Sequence, residues 1–165
     1  MAQKREIYCV IMAGGVGTRF WPKSRKNMPK QFLDILGNGK SFIRMTFERF
    51  SARIAPENFL VVTNQNYKSL VLEHLPELKP EQILCEPIGR NTAPCICYAA
   101  NYLNKIAPDS LMVVTPSDHY VADEKGFIDT LDACTEFAGA NDVLMTIVIN
   151  PTRPETGYGY IQRSS

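Results

Sequence analysis

The sequence predicts a doubly wound α/β fold, a mostly parallel sheet with helices on both faces, formed as one domain by 165 residues. Three observations predict it. Short apolar runs rich in β-branched residues recur along the chain, and they are nearly continuous rather than alternating, as suits strands covered on both sides. Segments with helical spacing of apolar residues lie between them. Gly- and Pro-rich connections at 13–17, 87–94 and 150–159 punctuate the pattern, with no internal repeat or low-complexity linker.

In chain order, Tyr8–Met12 is the first expected strand, and Ile43, Phe47, Phe50 and Ile54 stripe the first helix. Phe59–Thr63 is the second strand, followed by a helical stripe of Tyr67, Val71 and Leu75. Ile83–Cys85 precedes a stripe of Ala93, Ile96, Ala100 and Leu103. Leu111–Thr115 precedes one of Phe127, Leu131, Cys134 and Ala138, and Val143–Ile149 reads as a fifth strand. Alternation of this kind, wound by right-handed crossovers, yields the parallel sheet.

Charge and composition narrow the function classes. Eighteen Lys+Arg against 17 Asp+Glu leave a net charge of +1, so no nucleic-acid or membrane partner is expected from the whole-molecule field. The basic residues are nevertheless concentrated: Lys4, Arg5, Arg19, Lys23, Arg25, Lys26 and Lys30 share the first 30 residues with Glu6 as the one acid. Either a solvated basic surface or an anion-binding site would account for that. The five cysteines lack paired C-x-x-C spacing, and His74 and His119 fit no zinc pattern. Buried free thiols in a reducing cytoplasm are expected, with Cys95 and Cys97 pointing to different faces of one helix. No run approaches the ~20 apolar residues of a membrane span.

In a doubly wound sheet, ligands bind beyond the carboxyl ends of the strands. After the first strand comes Ala13-Gly14-Gly15-Val16-Gly17-Thr18-Arg19, after the third Glu86-Pro87-Ile88-Gly89-Arg90-Asn91-Thr92, and after the fourth Pro116-Ser117-Asp118-His119. The first loop is no dinucleotide fingerprint, because the third glycine position holds Phe20. Gly39-Lys40-Ser41 is no Walker A tail either, since Asp34 stands at the leading glycine position. What remains is a glycine turn whose backbone N–H groups can approach an anion closely at Gly14, Gly15 and Gly17, followed by Thr18 and Arg19 and, eleven residues beyond Arg19, by Lys30. Arg19 offers a planar fork for phosphate oxygens and Lys30 a compact point charge, while Pro22 and Pro29 stiffen the excursion between them. This is chemistry for a polyphosphate. Asp118 faces the same crevice as the expected Mg²⁺ ligand, one carboxylate supplemented by substrate oxygens. A capping or turn role is its alternative, and His119 is read as a positioning residue rather than a base.

These residues carry a resemblance. Met12-Ala-Gly-Gly-Val-Gly-Thr-Arg-Phe-Trp-Pro-Lys-Ser-Arg25, Pro29-Lys-Gln-Phe32, Glu86-Pro-Ile-Gly-Arg-Asn-Thr-Ala-Pro94, Thr115-Pro-Ser-Asp-His119 and Pro154-Glu-Thr-Gly-Tyr-Gly-Tyr-Ile161 together resemble the mannose-1-phosphate guanylyltransferase (GDP-mannose pyrophosphorylase) branch of the sugar nucleotidyltransferases. The glycine loop with Pro-Lys fits enzymes for every base, and the last three motifs single out the mannose and GTP branch. The resemblance implies a Rossmann-like nucleotidyltransferase fold and transfer of GMP from GTP to mannose 1-phosphate, giving GDP-mannose and pyrophosphate. It implies that Gly14, Gly15, Gly17 and Thr18 line the nucleotide channel, that Arg19 contacts the β and γ phosphates, and that Lys30 neutralises charge near the α-phosphate. Glu86, Asn91 and Thr92 would read the nucleoside, Gly157, Tyr158 and Gly159 would lie beneath the mannose, and Asp118 would hold Mg²⁺.

Cys95 and Cys97 depart from the family's small residues and are read as neutral core replacements. The family's catalytic domain is considerably longer, with a second metal-binding aspartate further along. Residues 1–165 are therefore expected to be its amino-terminal, nucleotide-binding portion, inactive alone, with self-association left open. The rival readings are a transferase for another base or sugar and a nucleotide-binding module without catalysis.

Overall fold

The computed structural model describes residues 5–15, 20–149, 151–154, 156–157 and 159–162. Four parallel strands, β1 (Ile7–Met12), β2 (Phe59–Asn64), β3 (Ile83–Glu86) and β4 (Leu111–Pro116), form a sheet in the order β3-β2-β1-β4. The helices are α1 (Phe42–Ser51), α2 (Lys68–His74), α3 (Thr92–Ile106) and α4 (Glu124–Ala140). Period-two side-chain alternation divides the interior into two cores. Cys9 and Ile11 of β1, Phe59 and Val61 of β2 and Ile83 of β3 pack with Ile43, Phe47 and Phe50 of α1, Val71 of α2 and Ile128 and Leu131 of α4. On the opposite face, Val10, Leu60, Val62 and Leu84 meet Cys95, Ala99 and Leu103 of α3. The sheet is thus covered on both faces, as the continuous apolar runs require.

The caps explain where two helices start. Ser41 accepts a hydrogen bond from the Arg44 amide at the head of α1, and Asp123 accepts one from the Gly126 amide at 2.9 Å at the head of α4. Gly126 leaves room for the Asp123 carboxylate in this arrangement, and a Cβ there would make that side chain shift.

Two expectations are corrected. Val143–Ile149 is not a strand: it runs irregular and exposed, with Leu144 and Ile149 almost wholly in solvent. An apolar run becomes a strand only where a ladder partner and covering elements receive it. Here β4 is an edge strand, only partly buried over Leu111–Val114. The buried row of α3 is Cys95, Ala99 and Leu103 rather than Ala93, Ile96, Ala100 and Leu103. Small Cys95 and Ala99 let the helix sit close on the sheet, and Cys97 consequently faces solvent instead of replacing a core residue.

Candidate functional site

The strand order fixes where a site can form. The β1–α1–β2–α2–β3 path runs outward in one direction, and α3 then carries the chain back across the opposite face to β4 on the other side of β1. The direction of winding reverses between β1 and β4, and crevices open beyond the carboxyl ends at such a switch point. Met12 and Pro116, the last residues of these strands, are register partners, and the Ser117 amide donates to the Met12 carbonyl at 3.1 Å. The glycine loop and Ser117-Asp118 therefore leave the sheet side by side.

Each exit is held by buried polar side chains. The Thr63 hydroxyl donates to the Ala13 carbonyl at 2.9 Å, and the Gln31 amide donates to the same carbonyl at 2.9 Å and to that of Gly15 at 3.0 Å. On the β4 side, the Thr46 hydroxyl donates to the Ser117 carbonyl at 3.3 Å. The Arg49 guanidinium, buried at the base of α1, donates to the His119 carbonyl at 3.3 Å and pairs with Glu124 of α4 at 3.4 Å. Burial pulls the pKa of Arg49 below the usual guanidinium value, with Glu124 opposing that shift.

Lys30 opens a single 3₁₀ turn, Lys30–Phe32, anchored by buried Phe32. Its ammonium lies 3.2 Å from Asp118 Oδ2, 4.4 Å from the centre of the Phe20 ring and 5.3 Å from that of Phe42. The aromatic faces favour a cation there and limit its access to water. The carboxylate of Asp118 remains about a third exposed (35%), so the pair itself contributes about 1 kcal/mol or less. Such a pair opens easily, and either partner can be taken over by a ligand.

Glu86, the last residue of β3, reaches towards the glycine loop. Its Oε2 lies 3.3 Å from where a Cβ on Gly14 would stand, so glycine at 14 leaves room for the carboxylate. Burial holds the Glu86 pKa above the usual carboxylate value, and burial together with the Glu86 charge pushes the Cys95 thiol up to about 11. Beyond Glu86, Asn91 takes φ +67° and ψ −168°. Among the described residues it is the one non-glycine with positive φ, in a region that glycine normally occupies and that costs on the order of 1–3 kcal/mol.

The structure thus brings together Gly14, Gly15, Lys30, Glu86 and Asp118 of the expected site. Gly17, Thr18, Arg19 and Tyr158 lie outside the described residues. Asn91 and Thr92 are exposed at the start of α3, and Gly157 and Gly159 are exposed near the end of the chain, with open space around Gly159. Lys23, Arg25 and Lys26 are solvated, which leaves Lys30 as the member of the basic run turned into the crevice among the described residues. A separate cavity of about 410 Å³ is lined by Asp34, Lys40, Ser41, Arg44, Glu48 and His74 among others. Four of its charged groups are already engaged. Lys40 and Arg44 share Glu48 at 2.7 and 2.9 Å, and Asp34 accepts from the Gly37 and Gly39 amides.

Residues 8–165 match the profile of the nucleotidyl transferase family. The chain belongs to that family. Among curated relatives, the chain is 42% identical over 159 residues to the xanthan biosynthesis protein XanB of Xanthomonas campestris pv. campestris, covering 95% of this chain and 33% of the relative. It is 42% identical over 158 residues to the mannose-1-phosphate guanylyltransferase of Salmonella muenchen, covering 93% and 33%. It is also 43% identical to the alginate biosynthesis protein AlgA of Pseudomonas putida, covering 94% and 32%. The chain therefore spans about a third of the length of these relatives. Among solved structures, it superposes on mannose-1-phosphate geranyltransferase from Thermus thermophilus with a TM-score of 0.72 at 30% identity, covering 81% of this chain and 38% of that one.

The nucleotidyl transferase fold also explains the residues that motif reading passes over. Gln31, Thr46, Arg49 and Thr63 hold the backbone of the loops at the crevice. Gln31 had a signal, a polar residue flanked by Lys30 and buried Phe32 within a quoted motif. Arg49 had none, since a charged residue on a helix ordinarily faces water. Among the described residues, no three His, Cys, Asp or Glu side chains gather as a metal cage, and no helix is long and apolar enough to cross a membrane.

Proposed function

We propose that the β1/β4 crevice binds a nucleoside triphosphate, and that the whole protein transfers GMP from GTP to mannose 1-phosphate, giving GDP-mannose and pyrophosphate. The observation that carries this reading is the meeting of Lys30 with Asp118 at 3.2 Å beside the glycine loop, at the point where strand order reverses. The motifs after β3 and β4 and the guanylyltransferase relatives support the choice of base and sugar.

In this reading the backbone amides at Gly14 and Gly15 cradle phosphate oxygens. Arg19 neutralises the β and γ phosphates, and Lys30 neutralises charge at the α-phosphate. An oxygen of the sugar phosphate attacks the α-phosphorus in line, the bond to the β-phosphate breaks, and pyrophosphate leaves on the opposite side. Glu86 and Asn91 face the nucleoside, and Gly157, Tyr158 and Gly159 face the sugar. Catalysis by this site is positioning and charge neutralisation, with no covalent protein intermediate. One hard carboxylate oxygen, from Asp118, suits Mg²⁺ held largely by phosphate oxygens. When bound, Mg²⁺ supplies charge neutralisation on the triphosphate.

The chain by itself is proposed to bind nucleotide without turnover. Thermal unfolding with GTP, ATP or GDP-mannose, with and without Mg²⁺, tests the assignment, because a ligand specific to the folded state raises the melting temperature. GTP with Mg²⁺ should raise it more than ATP, and Asp118→Asn should abolish the Mg²⁺-dependent part. Equal shifts with all nucleotides, or an unaltered response in the variant, would contradict the reading.

A further inference from the structure

Gln31 sits 3% exposed directly after Lys30, and it touches no place where a ligand could reach it. Both of its described hydrogen bonds run from Nε2 to backbone carbonyls of the glycine loop, Ala13 at 2.9 Å and Gly15 at 3.0 Å. A loop that binds an anion has to present N–H groups and keep its carbonyl oxygens away. In a trans peptide the N–H points opposite to the C=O. Holding the Ala13 carbonyl inward on Gln31 therefore aims the Gly14 amide the other way, to the exposed side of the loop. The Gly15 carbonyl is fixed by the same amide nitrogen, so a single side chain sets the orientation of two nearby peptide groups.

Thr63 differs in an informative way. It also donates to the Ala13 carbonyl, at 2.9 Å, but it has no hold on Gly15. It helps to aim the Gly14 amide, but the Gly15 carbonyl is left to Gln31. Gln31 also connects two separate binding elements. Its own backbone lies in the 3₁₀ turn that carries Lys30, and its side chain grips the loop 16 to 18 residues earlier. Any displacement of the glycine loop is thereby transmitted to the lysine that faces Asp118.

We propose that Gln31 is a positioning residue for phosphate binding: it orients the glycine-loop amides and keeps them in register with Lys30. This rests on the polyphosphate reading of the crevice, and it adds a residue that never touches the ligand. Leu or Met at 31 would fill the same volume while leaving the Gly15 carbonyl free to rotate towards the phosphates, where it would repel them, with Thr63 still holding that of Ala13.

The test compares Gln31→Met with Thr63→Val in this chain, using calorimetric titration with GTP and Mg²⁺, melting temperature, and the ¹⁵N–¹H resonances of Gly14 and Val16. Each variant removes a buried hydrogen bond onto the Ala13 carbonyl, and each should melt several degrees lower. Gln31→Met should weaken GTP binding by at least about ten-fold, well beyond any effect of Thr63→Val. Both variants should move the Gly14 resonance, but only Gln31→Met should move that of Val16, whose amide shares a peptide with the Gly15 carbonyl, and blunt its response to GTP. A loss of affinity that simply follows the loss of stability in both variants would reduce Gln31 to a structural role and overturn the proposal. If Gln31→Met does not fold, Gln31→Asn retains the amide but is one methylene too short to span both carbonyls, and the same outcomes apply to it. Failure of the unsubstituted chain to bind GTP would instead overturn the polyphosphate reading and the proposal with it. Normal GTP binding by a folded Gln31→Met would overturn Gln31's part alone.

Discussion

Glu86, proposed to face the nucleoside, carries a cost in stability. Burial raises its pKa, so the folded chain keeps the Glu86 proton at a pH where the unfolded chain has released it. The folded state therefore loses stability as pH rises from the ordinary carboxylate range, about 4.3, through the raised value, and the penalty stays constant above it. Glu86→Gln removes this dependence. Urea unfolding should find the variant at least as stable as the parent at pH 7, with the difference vanishing towards pH 4, while GTP affinity falls. A parent that is more stable than the variant at pH 7 would contradict the assigned burial effect. At this scale Lys30 and Asp118, which meet beside the glycine loop, were readable in the sequence, because they follow glycines, prolines and strand ends in recognisable order. The groups that hold the backbone were not. Arg49 in α1 and Thr63 in β2 act through main-chain carbonyls, and nothing in their spacing announces a partner.

Elements were legible where hydrophobic period and local signals agreed. The stripes of α1 and α2 are buried as expected, and the four strands differ from their predicted limits by a residue or two at the ends. In α3 two rows were available, and the structure buries Cys95, Ala99 and Leu103. Cys95 is buried and its thiol raised, whereas Cys97 is exposed. A thiol reagent at neutral pH should therefore modify Cys97 quickly and leave Cys95 and fully buried Cys9 protected until the chain unfolds, as read by mass spectrometry of peptides. Rapid labelling of Cys95 with Cys97 protected would restore the other row. The run at 143–149 failed as a strand for a reason outside its own sequence, since strand formation depends on what lies alongside. With Leu144 wholly exposed, Leu144→Ser should change unfolding free energy by less than about 0.5 kcal/mol, whereas a strand buried on both faces would lose several times that. Denaturant unfolding of the variant decides between them.

At the scale of the whole molecule, the alternation of strands and helices predicts the layers but not the order of the strands. The reversal between β1 and β4 depends on α3 crossing the opposite face, which no local pattern encodes, and that reversal is what brings Asp118 to Lys30. The open β4 edge and the partly exposed faces of β4 and α4 belong to a chain that spans about a third of its curated relatives.

The most direct test is a crystal structure of the chain grown with GTP and Mn²⁺, in which the anomalous signal locates the metal independently of the nucleotide. The account predicts a peak about 2.1 Å from an Asp118 carboxylate oxygen, the triphosphate along Gly14 and Gly15, and the Lys30 ammonium moved from Asp118 onto phosphate. Triphosphate and metal bound elsewhere, with the Lys30–Asp118 pair intact, would contradict it.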